Sequence, residues 1–143
     1  MLRIVCFVLA FSVFSAPVLA EEIKMMCDTK LFRYTKPWIG SANVHIRKGG
    51  EWVPLAEFCS KKGMEKLSRR KMEVSSASFT ITERAAICRF EATPKNPKDP
   101  DYGITGRFKL IWDFELLTGK FIIKYPDSHR KSPKPKTTKC KRR

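Results

Sequence analysis

Few residues in this chain have types and spacings that could do chemistry. Histidine occurs at His45 and His129 and nowhere else. A ribonuclease-like reaction would need both imidazoles and a cation converging on one phosphate, one ring as base and the other as acid. His45 falls on the polar face of a strand-like run and His129 in a basic C-terminal run, so both read as exposed polar residues. Asp113 and Glu115 alternate on a strand, which puts their carboxylates on one face about 7 Å apart, within the range of a glycosidase pair. Interleaved with Arg107 and Lys109, they read better as cross-strand ion-pair partners of Lys120 and Lys124. The chain has no G-x-S-x-G elbow, no H-E-x-x-H, no phosphate-cradling glycine loop and no calcium loop. No catalytic residue is assigned, no cofactor or metal is expected, and the sequence points to binding ahead of catalysis.

Cysteine is the other reactive type, at Cys6, Cys27, Cys59, Cys88 and Cys140. The compartment decides how to read it. MLRIVCFVLAFSVFSAPVLA, residues 1–20, has one early cation (Arg3), an apolar run from Ile4 to Phe14 and small residues before Glu21. That is the pattern of a secretory signal peptide, cleaved after Ala20. The apolar run, broken by Ser12, Ser15 and Pro17, is too short to span a bilayer, so no transmembrane segment is expected in the mature chain. Export implies a periplasmic or extracellular protein. The four remaining cysteines, Cys27, Cys59, Cys88 and Cys140, then read as two disulfides, with three pairings open. None has the C-x₂₋₄-C spacing of a zinc site.

Charge is the strongest compositional signal, with 29 Lys and Arg against 14 Asp and Glu. It is concentrated in two places. The C-terminal run carries Arg130, Lys131, Lys134, Lys136, Lys139, Lys141, Arg142 and Arg143 against Asp127 alone. A second cluster carries Lys61, Lys62, Lys66, Arg69, Arg70 and Lys71 against Glu65 and Glu73. In the C-terminal run, Ser132-Pro133-Lys134-Pro135-Lys136 favours an extended polyproline-type backbone, and the near absence of apolar residues after Tyr125 argues for an extended basic tail. Spaced cations on an extended segment suit an anionic polymer or headgroup surface.

The elements that must position these groups read as β. In GRFKLIWDFELLTGKFIIKYP, residues 106–126, Phe108, Leu110, Trp112, Phe114 and Leu116 alternate with Arg107, Lys109, Asp113 and Glu115. Gly119 then leads into a second alternating run, which predicts a hairpin. Ala42, Val44 and Ile46, followed by Gly49-Gly50 and Glu51–Leu55, predict another, with Pro54 at an edge or strand end. Residues 23–34, 71–81 and 85–93 read as further β segments, PKNPKDP at residues 94–100 as a loop, and residues 56–70 as one short helix interrupted by Gly63. The expected fold is mainly β: a small antiparallel barrel or sandwich with one short helix, disulfide-stabilised, over residues 21–125, with a basic tail at 126–143.

This places the regular aromatic face of residues 108–116 in the core, and leaves Trp38 and Trp52 as the rings to watch at the surface. The resulting expectation is an exported basic module that binds an anionic envelope surface or acidic polymer through the two cationic clusters, nucleic acid being incidental. The alternatives are an envelope protein-interaction module using the Trp38 and Trp52 region, and a small secreted hydrolase depending on His45.

Overall fold

The computed structural model describes residues 21–143. The expected signal peptide, residues 1–20, lies outside the described residues.

Residues 23–34, read above as one β segment, fold as a hairpin. β1 (Glu21–Cys27) pairs with β2 (Lys30–Lys36) around Asp28 and Thr29. Asp28 takes the left-handed backbone, φ 52°, that a two-residue hairpin turn requires and that Asp tolerates better than most side chains. β3 (Asn43–Lys48) and β4 (Glu51–Pro54) follow, turning at Gly49 and Gly50, both at positive φ. Pro54, without an N–H to donate, ends β4 at the edge of this sheet. Alternation decides the buried face: Met25 and Cys27, Phe32 and Tyr34, Val44 and Ile46 all point inward.

The second sheet runs β5 (Met72–Ile81), β6 (Ala85–Pro94), β7 (Gly106–Asp113), β8 (Thr118–Lys124) and β9 (Lys136–Lys139), each antiparallel to the next. The sheets pack face to face through Phe32 against Trp112 and Tyr34 against Phe114, each pair with ring centroids 5.1 Å apart. Offset, tilted rings at this spacing add to the area that they bury. Tyr34 also donates its hydroxyl to the Glu83 carbonyl of the opposite sheet at 2.6 Å. The strand expected over residues 106–116 stops at Asp113, whose carboxylate accepts from the Glu115 and Leu116 amides and starts the turn. Leu116 is therefore not a core residue; it is 62% exposed.

The two sheets are joined on both flanks without closing a barrel. On one side β4 connects to β5 through two short helices, α1 (Leu55–Phe58) and α2 (Lys61–Leu67), where one was expected. Ser60 caps α2, its hydroxyl accepting from the Gly63 amide. Gly63 is required there because a Cβ would run into the carbonyls of Glu57 and Phe58. On the other side the C-terminal segment crosses from sheet to sheet. β9 pairs with β8, Cys140 is disulfide-bonded to Cys27 with Cα atoms 4.4 Å apart, and β10 (Lys141–Arg142) pairs with β1.

The extended basic tail expected over residues 126–143 is thus corrected for residues 136–143, which strand pairing and the disulfide hold in place. Pro133 and Pro135 do block a ladder, but from Lys136 the backbone finds strand partners. The disulfide expectation holds for one pair; Cys59 and Cys88 are unbonded, buried against each other in the core.

Candidate functional site

All fourteen cations singled out in the sequence are exposed. Arg130 is the one among them, within the described residues, that has a carboxylate partner, Asp101, and its guanidinium also lies 5.3 Å from the Tyr125 ring. The β9 strand sets Lys139 and Lys136 on fixed positions of the second sheet, with Lys139 opposite Thr118 and Lys136 opposite Phe121. Alternation sends Lys139 to the outer face and Lys136 toward the space between the sheets.

The outer face of this sheet carries further cations that the sequence reading assigned only to a polar side. Register places Arg89 opposite Lys109 and Arg107 opposite Lys124. Arg107 is neutralised by Glu91 at 2.8 Å; Arg89, Lys109, Lys120 and Lys124 are in no ion pair among the described residues. Like charges directly opposite one another on a sheet are unfavourable. With Lys139 at the β9 edge of the same face, opposite Thr118 and diagonal to Lys120, they make a cationic face on which an extended anion would relieve the repulsion. The signal was present as the alternation of Arg107 and Lys109 with apolar residues, but only register joins them to Arg89 and Lys124.

A second feature lies at the end of the molecule where the β1–β2 and β3–β4 turns meet the helices. An open groove of about 1040 Å³ is lined by Ile46, Val53, Phe58 and Leu67, with Lys30, Arg47, Lys48, Lys62, Lys66 and Arg69 as its cations and Glu57 as its carboxylate. Arg69 and Arg70 both hold left-handed backbone, φ 54° and 59°, closing α2 through Arg69 N–H to Lys66 O and Arg70 N–H to Glu65 O. Such backbone costs a non-glycine residue about 1 kcal/mol or more each. Phe58, Leu67 and Lys30 are shared with an adjoining cleft of about 370 Å³ that enters between the sheets along Leu110, Trp112 and Phe121 and reaches Lys136. The groove and cleft together bring Lys62, Lys66 and Arg69 of the internal cluster and Lys136 of the C-terminal run onto one continuous surface. Lys61, Arg70, Lys71, Lys131, Lys134, Lys141, Arg142 and Arg143 line neither.

The catalytic candidates separate. His45 lies on β3 beside Arg33 of β2, while His129 sits in the turn after β8 of the other sheet. His45 is half-buried, and burial first, then the Arg33 charge, push its pKa below the ordinary imidazole value. Its Nδ1 and the neighbouring Arg33 Nε have no hydrogen-bond partner in the protein. Arg33 stacks on Trp52, guanidinium carbon to ring 4.5 Å, and Arg47 lies over the same ring at 5.9 Å, so Trp52 serves as a platform for two cations. Trp38, by contrast, is 82% exposed and Ile39 85%, at the β2–β3 turn. Asp113 and Glu115 pair with Arg84, at 3.7 and 3.2 Å, not with Lys120 and Lys124 as expected, because register sets Asp113 opposite Thr118.

Among the described residues no group of three or more His, Cys, Asp or Glu could hold a metal, and no helix is long and apolar enough to cross a membrane. No family model matches the chain, and no curated protein or solved structure matches it.

Proposed function

We propose that this is an exported, non-catalytic module that docks on polyanionic surfaces, such as lipid headgroups, lipopolysaccharide phosphates or acidic glycans, through cations held on a rigid β frame. The supporting observation is the C-terminal strap. Because β9 and the Cys27–Cys140 bond fix this segment, Lys139 extends the unpaired cationic row of Arg89, Lys109, Lys120 and Lys124. A rigid row loses less conformational entropy on binding than a free tail of the same charge. The signal-like residues 1–20 supply the route to the periplasm or the cell exterior, where such polymers are abundant. The test is a titration of anionic vesicles with the wild-type protein and with Lys109→Gln, Lys124→Gln and Lys139→Gln, singly and together. Each change is expected to weaken binding by about 1 kcal/mol at low salt. A triple variant that binds like the wild type would rule out this face.

A second reading, docking of a protein partner, rests on the exposure of Trp38 and Ile39. These lie at the end of the molecule that holds Glu21, Glu22 and Glu83, away from the cationic groove. A partner using that end would be lost on Trp38→Ser with vesicle binding unchanged.

A further inference from the structure

Resting on that reading of anionic surfaces, we propose that the groove beside α1 and α2 is a binding site for one acyl chain of a phosphate-bearing lipid, with the phosphate held at its rim. A surface built only for a hydrated polyanion has no use for an apolar floor. This groove has one, made by Ile46, Val53, Phe58 and Leu67, and Leu67 is left 47% exposed on it. Its volume, about 1040 Å³, is at the upper end of small-molecule sites.

The floor also continues. Past Phe58 and Leu67 it enters the cleft between the sheets along Leu110, Trp112 and Phe121. A linear aliphatic chain fits such a path, and burying it releases water from both surfaces. Charge selects the headgroup: the groove has six cations against Glu57, and none of the six is in an ion pair among the described residues. Arg47 and Arg69 offer the planar donor fork that pairs with phosphate oxygens, with the neighbouring lysines as point charges. Arg69, where the backbone turns into the left-handed region at the end of α2, lines the groove. An acyl chain and a phosphate on one molecule satisfy both halves of the surface together.

The experiment titrates the disulfide-bonded protein with oleoyl lysophosphatidate below its micelle concentration, following amide shifts by NMR and the fluorescence of the tryptophans. Glycerol phosphate, which lacks the chain, and oleoyl lysophosphatidylcholine, which lacks the net charge, are the controls. A sulfated polysaccharide is titrated in parallel. Saturable binding of lysophosphatidate is expected, with shifts at Phe58, Leu67 and Leu110. Leu67→Gln, which removes apolar contact at an exposed position without changing charge, should weaken it about tenfold and leave polysaccharide binding unaltered. Equal binding of glycerol phosphate, with Leu67→Gln without effect, would overturn the acyl site while leaving surface docking intact. Lysophosphatidate binding with no response to the polysaccharide or to anionic vesicles would support the site and overturn the wider docking reading. An acidic amphipathic peptide that displaces the lipid at lower concentration than the lipid itself would overturn the choice of occupant.

Discussion

His45 illustrates how far a residue's chemistry depends on neighbours that are distant in sequence. Alternation put it on the polar face of β3, correctly, but its partial burial and its place beside Arg33 follow from strand register and from the stacking of Arg33 on Trp52. Its depressed pKa has a thermodynamic sign. The unfolded chain takes up a proton near the ordinary value of 6.5 that the folded chain refuses, so this stabilisation is complete above that value and is lost as pH falls below it. The wild type should therefore lose more thermal stability between about pH 7.5 and 5 than His45→Gln does, and equal losses would contradict the assignment. The cysteines teach the same lesson. Their even number and the signal-like pattern of residues 1–20 pointed to disulfide bonding, but the partners depend on which strands meet. Cys59 and Cys88 touch in the core, and the hydrogen bond that the Cys59 thiol donates to Cys88, then burial, push the Cys59 thiol well above its ordinary value. Little thiolate means slow exchange. Refolding the reduced protein with oxidised glutathione should form Cys27–Cys140 and leave Cys59 and Cys88 as thiols. Formation of the bond removes two hydrogens from the protein while one glutathione disulfide becomes two thiols. Mass spectrometry should read two hydrogens lost at completion, and a final product missing four would contradict the prediction.

At the scale of elements, the legible parts were those with strong period-two patterning. The β7–β8 and β3–β4 hairpins could be read because apolar and charged residues alternate and glycines mark their turns. The β1–β2 turn was hidden because Asp28 and Thr29 lack glycine or proline, and α1 because a single helical turn has no periodicity to detect. The C-terminal strap was hidden for a different reason. Lys136–Lys139 has no apolar face to announce a strand; it is held by backbone ladders on β8 and by the disulfide, with β10 and the Arg143 amide bonded to β1. The strap's stability should then be mostly covalent in origin. Cys27 and Cys140 are 113 residues apart, and a loop of that length is worth about 5 kcal/mol on chain-entropy grounds. Cys140→Ala is expected to lower unfolding free energy by roughly that amount in urea and to expose the amides of residues 136–142 to hydrogen exchange. Unchanged protection of these amides would mean that the strands hold without the bond. The same dependence makes deletion of the C-terminal run a poor probe of binding, because it removes two strands and a disulfide along with the charge.

For the whole molecule, cations are in excess, 29 against 14 carboxylates in the sequence, and the fold gathers part of that excess onto two fixed surfaces. One is the outer face of the second sheet with β9 at its edge; the other is the groove beside the helices. Composition made the basic character legible, and the two clusters in sequence identified part of each surface. That Lys62, Lys66 and Arg69 meet Lys136 across one groove and cleft required the crossing of the C-terminal segment between sheets. At the far end the carboxylates of Glu21 and Glu83 act on Tyr34, while Glu22 is neutralised by Lys24. The most direct test of docking by fixed cations is the affinity of the disulfide-bonded protein for a sulfated polysaccharide across a range of salt. The account predicts tight binding at low salt that weakens in a straight line on logarithmic axes, with a slope set by several cation contacts. Affinity that is absent, or that does not change with salt, would contradict it.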